Sequence, residues 1–126
     1  MSMLGNAKMF ATLSASDLGR AKAWYAEKLD LKPVEEREQA LWYETGSTRW
    51  LLYQSSFAGT NQATSAGFQV EDVEATVAEM RGRGVEFQEY DFPDFKTVDG
   101  VATTPDGAKA AWFTDSEGNI VSIATP

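Results

Sequence analysis

The apolar positions in the first third of the chain change period and then change back. From Lys8 to Ala15 (KMFATLSA) they alternate, with Phe10, Thr12 and Ser14 on one face and Met9, Ala11, Leu13 and Ala15 on the other, which predicts a strand. In SDLGRAKAWYAEKLD the period becomes helical. Leu18, Ala21, Tyr25 and Leu29 form one apolar stripe, and Ser16 or Asp17 is placed to cap the first turn. Pro33 stops that helix. KPVEERE, ALWYET and TRWLLYQ then read as three strands, the last two joined by a turn at Gly46-Ser47.

The order then restarts. Ser55 to Ala66 is small and polar and reads as a connection. AGFQV predicts a strand and EDVEATVAEMRGRG a helix. Its core face is Val73, Val77 and Met80, with acids in its first turn, arginines in its last and Gly84 at its stop. VEFQEY reads as a strand, DFPDF as a loop, and Lys96 to Thr103 as another strand. A turn at TPDG, the strand AKAAWFT, a turn at SEGN and a last strand, Ile120 to Ala124, complete the chain. Aligned with slippage of one residue, the halves share Asp17/Asp72, Leu18/Val73 and Leu31/Val85, a repeat of roughly 55 residues. These features predict an α+β fold over residues 1–126. Two tandem βαβββ modules (about 8–54 and 66–125, linker 55–66) would form a curved mixed sheet with outer helices and an inner cleft.

Composition narrows the chemistry. The chain holds no cysteine, which excludes disulfides, thiolate catalysis and zinc–sulfur sites, and no histidine, the commonest general base and transition-metal ligand. Net charge is −8, a field that repels nucleic acid and anionic membranes and mildly favours cationic ligands. No apolar run is long enough to span a membrane, and the polar start does not resemble a signal peptide, so the expected location is the cytoplasm.

MFATLSASDLGRAKAWYAEKLDLKPV, AGFQVEDVEATVAEMRGRGVEF and AAWFTDSEGNIVSI, in that order, resemble the glyoxalase/bleomycin-resistance/extradiol-dioxygenase superfamily, the vicinal oxygen chelate fold. The resemblance implies a homodimer with clefts completed across the subunit interface. It also implies that enzymatic members place metal ligands where this chain has Phe10, Ser65 and Ser122, with a fourth near Leu52 or Tyr53. A phenyl ring and two neutral hydroxyls do not supply the hard or imidazole donors a divalent metal needs. The expectation is therefore no metal, no cofactor and no catalytic residue.

Alternation nominates the residues that would line the cleft. Phe10 and Thr12 come from the first strand, Trp42 and Glu44 from the third, Trp50 and Tyr53 from the fourth, Ser65 from the start of the second module, and Trp112 and Ser122 from the last two strands. Tyr90, Phe92 and Phe95 crowd around Pro93 in a loop that reads equally as a wall over the cleft or as a segment tucked against its own sheet. Parity shows which side chains go together, but not which set faces inward. The favoured function is metal-independent binding of a small aromatic or cationic molecule, as in drug-resistance proteins that sequester an antibiotic. The alternative is a lyase, isomerase or dioxygenase on the same scaffold.

Overall fold

A computed structural model describes residues 3–126. The first module is β1 (Thr12–Ala15), α1 (Leu18–Leu29), β2 (Glu35–Arg37), β3 (Ala40–Thr45) and β4 (Thr48–Gln54). The second is β5 (Ala66–Gln69), α2 (Val73–Gly82), a hairpin β6 (Asp91–Phe92) and β7 (Phe95–Lys96), then β8 (Val101–Thr103), β9 (Lys109–Thr114) and β10 (Ile120–Ala124). The strands form two four-stranded sheets of the same order, β1-β4-β3-β2 and β5-β10-β9-β8. In each, the first strand runs parallel to the last and the remaining pairs are antiparallel. This is the α+β architecture of two tandem modules, hydrogen-bonded as two sheets rather than one.

Local chemistry sets most of the boundaries. Asp17 and Asp72 cap the two helices, accepting from the backbone N–H of Arg20 and Ala75, each at 3.0 Å. Gly46 and Ser47, both at positive φ, close a two-residue turn whose twist suits a hairpin. Three sequence expectations are corrected. The first strand begins at Thr12 rather than Lys8. VEFQEY makes only a single bridge, Phe87 to Phe113. Lys96–Thr103 is broken because Asp99 and Gly100 both adopt positive φ and turn the chain between β7 and β8.

Phe87 bridges Phe113, and Val101 pairs with Ala111 in the same antiparallel sense. An uninterrupted strand would have put Glu89 opposite Ala111, so the chain makes a twelve-residue excursion there. The β6–β7 hairpin, read from the sequence as a loop, is the tip of that arm.

The core lies between the two modules. Leu13, Leu41, Tyr43, Trp50 and Leu52 of the first sheet and Ala111, Phe113, Val121 and Ile123 of the second are all buried in one cluster with Ala21 and Tyr25 of α1 and Val73, Val77 and Met80 of α2. Trp24 of α1 stacks on Phe113 across the modules at 6.2 Å, while Tyr25 packs on Tyr43 and Trp50, each at 5.7 Å. The helix-bearing faces are therefore committed to packing, and the opposite faces are left for function.

The turn before β10 locks the modules together. Tyr25 Oη donates to Asp115 at 2.6 Å, and Asn119 Nδ2 donates to the Ser14 carbonyl at 2.8 Å. Glu117, with no exposed side-chain surface, accepts from the backbone N–H of Ser16 and Asp17 and is gripped by Arg20. Gly118 sits at φ 88° beside Gly59, and a Cβ there would lie 2.8 Å from the Gly59 Cα. Gly118→Ala is expected to destabilise the fold by at least about 2 kcal/mol, seen as a Tm drop of roughly 5–10 °C. An unchanged Tm would show that this close approach is not needed.

Candidate functional site

Register shows which side chains share the face opposite the core. In the first sheet Trp42 lies opposite Leu51, and Leu51 beside Thr12. In the second, Trp112 lies opposite Ser122, and Ser122 beside Gly67. The two sets are equivalent by the internal repeat, down to one hydrogen bond: Val34 N–H donates to the Trp42 carbonyl at 2.8 Å, and Gln88 N–H to the Trp112 carbonyl at 2.9 Å. The residue equivalent to Ser122 is thus Leu51. Leu52 is fully buried in the core, and Tyr53 shares the outer face, 39% exposed.

The first group gathers around Trp42. Phe10, ahead of β1, meets the indole edge-on at 5.0 Å, and the Arg49 guanidinium lies 4.9 Å over its ring. Glu35 holds Arg49 at 3.0 Å and also pairs with Arg37. These two guanidinium hydrogen bonds, Arg49's first, hold the Glu35 carboxyl below its ordinary pKa. Glu44 is exposed opposite Arg49, and Thr12 is exposed on the same face. The sequence reading missed Arg49 and Glu35, whose roles come from neighbouring strands rather than from any local pattern.

The second group is the aromatic arm over β9. Trp112 meets Phe95 at 5.2 Å and Tyr90 at 5.7 Å, both edge-on, and Tyr90 stacks against Phe92 at 6.2 Å. Tyr90 Oη donates to Gln88, whose amide donates in turn to Thr114 Oγ1 at 2.8 Å. Glu89 fastens the base of the arm, accepting from Thr97 Oγ1 at 2.6 Å and Gly100 N–H at 2.8 Å, and those bonds lower its pKa. Phe92 remains 57% exposed. The arm thus stands on Trp112, with the Phe92 ring and part of the Phe95 ring in solvent.

Ser122 lies so close over Gly67 that a Cβ there would sit 2.5 Å from the Ser122 Oγ. The glycine makes room for the hydroxyl, and no hydrogen bond from the described residues engages it. Ser65 is occupied otherwise, its Oγ accepting from Asn61 Nδ2 at 3.1 Å within the linker. Trp50 lies with the core set. It is 6% exposed, stacks on Tyr43 at 4.5 Å, and its indole N–H donates to Thr45 Oγ1 at 3.0 Å. Its partner in register is Tyr43, whereas Trp42 and Tyr53 point the other way.

The structure brings Phe10, Thr12, Trp42, Glu44 and Tyr53 onto one sheet face, and Tyr90, Phe92, Phe95, Trp112 and Ser122 onto another. Among the described residues no ring contact joins the two groups. Nor do three His, Cys, Asp or Glu side chains converge anywhere in a cluster able to hold a metal ion. With Leu51 and Ser122 at equivalent positions and Phe10 and Ser65 at the strand starts, the donor set does not fit a divalent cation. No helix among the described residues is long and apolar enough to cross a membrane.

Comparison with known proteins gives the family and the fold. The family model described as Glyoxalase/Bleomycin resistance protein/Dioxygenase superfamily matches residues 9–123. Among solved structures, a glyoxalase/bleomycin resistance protein from Catenulispora acidiphila superposes with a TM-score of 0.69 at 20% identity, covering 94% of this chain and 97% of that one. A bleomycin-binding protein in complex with bleomycin gives 0.72 at 13% identity, covering 94% and 98%. The fosfomycin resistance protein FosX from Listeria monocytogenes, with Mn(II) and sulfate, gives 0.69 at 11% identity, covering 95% and 90%. No curated protein matches the chain.

Proposed function

Because the chain belongs to the glyoxalase/bleomycin resistance protein/dioxygenase superfamily, we propose that it is a cytoplasmic, metal-independent binding protein that sequesters an aromatic, antibiotic-like molecule as a homodimer. The observation that carries this reading is the pair of equivalent tryptophans, Trp42 and Trp112. Each stands on a face free of the core, and each is backed by further rings. Indole and phenol rings offer large, rigid contact area with a polar handle, suited to a flat ligand in a partly wet site. The acids of the arm, Asp91 and Asp94, and the net charge of −8 favour a ligand carrying positive charge.

The sheet ends support the proposed dimer. β1 and β5 each lie at one end of their sheet, each with an outer edge that pairs with no strand among the described residues. Open edges invite pairing with another chain. Exposed apolar side chains lie on the segment leading into β1, Met9 at 97% and Phe10 at 47%. Placing β1 of one copy beside β5 of another, twice, makes a closed symmetric dimer. It would join the Trp42 face of one copy to the Trp112 face of its partner.

The reading is tested by titrating polycyclic cationic aromatics and following tryptophan fluorescence. Saturable quenching by at least one such compound, with one ligand per half-site pair, is expected. Absence of saturable binding across the series would remove the proposal.

A further inference from the structure

On the other side of the molecule, away from both tryptophan faces, the modules flank an open pocket of about 350 Å³ between the C-terminal ends of α1 and α2. Its walls come from both modules: Leu29 at the end of α1 and Leu31 beyond it, Phe68 of β5, Met80 of α2, Phe113 of β9 and Ile123 of β10. Met80, Phe113 and Ile123 are buried core residues, so the floor is fixed by the packing that holds the modules together. This size and this apolar lining are those of small-molecule sites. Water filling it would find few polar partners, which favours an apolar body in its place.

The mouth indicates the charge. Lys28, Asp30, Glu79 and Arg83 stand around it. Both bases are already turned toward Glu27: Lys28 Nζ lies 3.8 Å from its carboxylate, and Arg83 Nη1 donates to its carbonyl at 3.4 Å. Asp30 and Glu79 are exposed, and among the described residues neither has an ion-pair partner. The lining holds two acids and two bases, and only the bases are engaged, both by Glu27. The carbonyls at the end of α1 add partial negative charge to the same side.

We propose that this pocket is a second ligand site, separate from the tryptophan faces, for a lipophilic monocation. A bicyclic aromatic or branched apolar body would fill the space between the modules, and one ammonium group would stay at the mouth between Asp30 and Glu79. A ligand there touches both modules at once and binds only the folded chain, so it would also raise Tm with its concentration.

The test is a methyl and indole NMR titration with 2-naphthylmethylammonium, using 2-naphthylacetate as the anionic control. Saturable shifts of the Leu29, Leu31, Met80 and Ile123 methyls by the cation are expected, with the anion at least tenfold weaker. The variant Asp30→Asn/Glu79→Gln should weaken the cation roughly tenfold, the scale of two exposed ion pairs, and leave the anion no weaker. Asparagine suits the left-handed backbone of Asp30, so the fold is retained. Equal affinity for cation and anion would overturn the proposal, as would an unchanged affinity in the double variant. The indole signals of Trp42 and Trp112 report the other site independently, and shifts confined to them, or no saturable methyl shifts, would also overturn it.

Discussion

Glu117→Ala is expected to lower the free energy of unfolding at neutral pH by roughly 3 kcal/mol. The carboxylate has no exposed side-chain surface, yet it receives the Ser16 and Asp17 N–H groups at 3.0 and 3.1 Å and two Arg20 bonds at 2.8 Å. It satisfies the two backbone donors that lead into α1 from a turn about a hundred residues away, and alanine would leave them without that acceptor. The Arg20 hydrogen bond is the main cause that pushes the Glu117 pKa down from 4.5 to about 2, against the opposing pull of burial. Because the folded value lies below the unfolded one, this stabilisation is complete above about pH 4.5 and fades as pH falls toward 2. Urea unfolding at pH 7 and pH 3 checks both statements. Wild type should lose stability across that window, whereas Glu117→Gln should start lower and lose less. Parallel pH profiles for the two proteins would contradict the assignment.

Trp112→Ala is expected to weaken binding of an aromatic ligand about thirtyfold, corresponding to a loss of about 2 kcal/mol, the scale for a central tryptophan at a binding surface. Its indole is the platform for both Tyr90 and Phe95, so alanine removes a contact surface and also the support of the arm. Trp112→Phe keeps a ring at that position and should retain most of the affinity. Calorimetric titration of both variants, with thermal unfolding to confirm the fold, separates the cases. Equal losses for alanine and phenylalanine would mean that the indole N–H matters rather than the ring. No loss in either would place the ligand elsewhere.

The sequence made legible what local chemistry decides. The helices, their aspartate caps, the Gly46-Ser47 turn and the order of the second module are set by spacing, capping residues and positive-φ positions close in the chain. Parity grouped Trp42 with Glu44, and the register puts both on the face away from the core. Parity could not say that Trp50 belongs to the core, because that depends on Tyr43 and Tyr25 packing against it from other elements. Glu117 read as one more turn acid, since nothing near it in the chain announces that α1 docks there. The twelve-residue arm was blurred for a different reason. Its strands are two and three residues long, and the break at Asp99-Gly100 lies within an otherwise extended run.

The metal question is also one of side chains rather than of fold. FosX superposes along nearly its whole length and holds Mn(II), while this chain offers Leu51 and Ser122 at its two equivalent outer positions. Superposition at this identity carries the backbone and not the donors.

Tryptophan quenching by a polycyclic cationic aromatic before and after exhaustive chelation, with metal content assayed on the same sample, tests metal-independent binding most directly. Saturable binding of unchanged affinity after chelation, by protein carrying no stoichiometric metal, is the predicted result. Binding that vanishes on chelation and returns with manganese, nickel or zinc would contradict it.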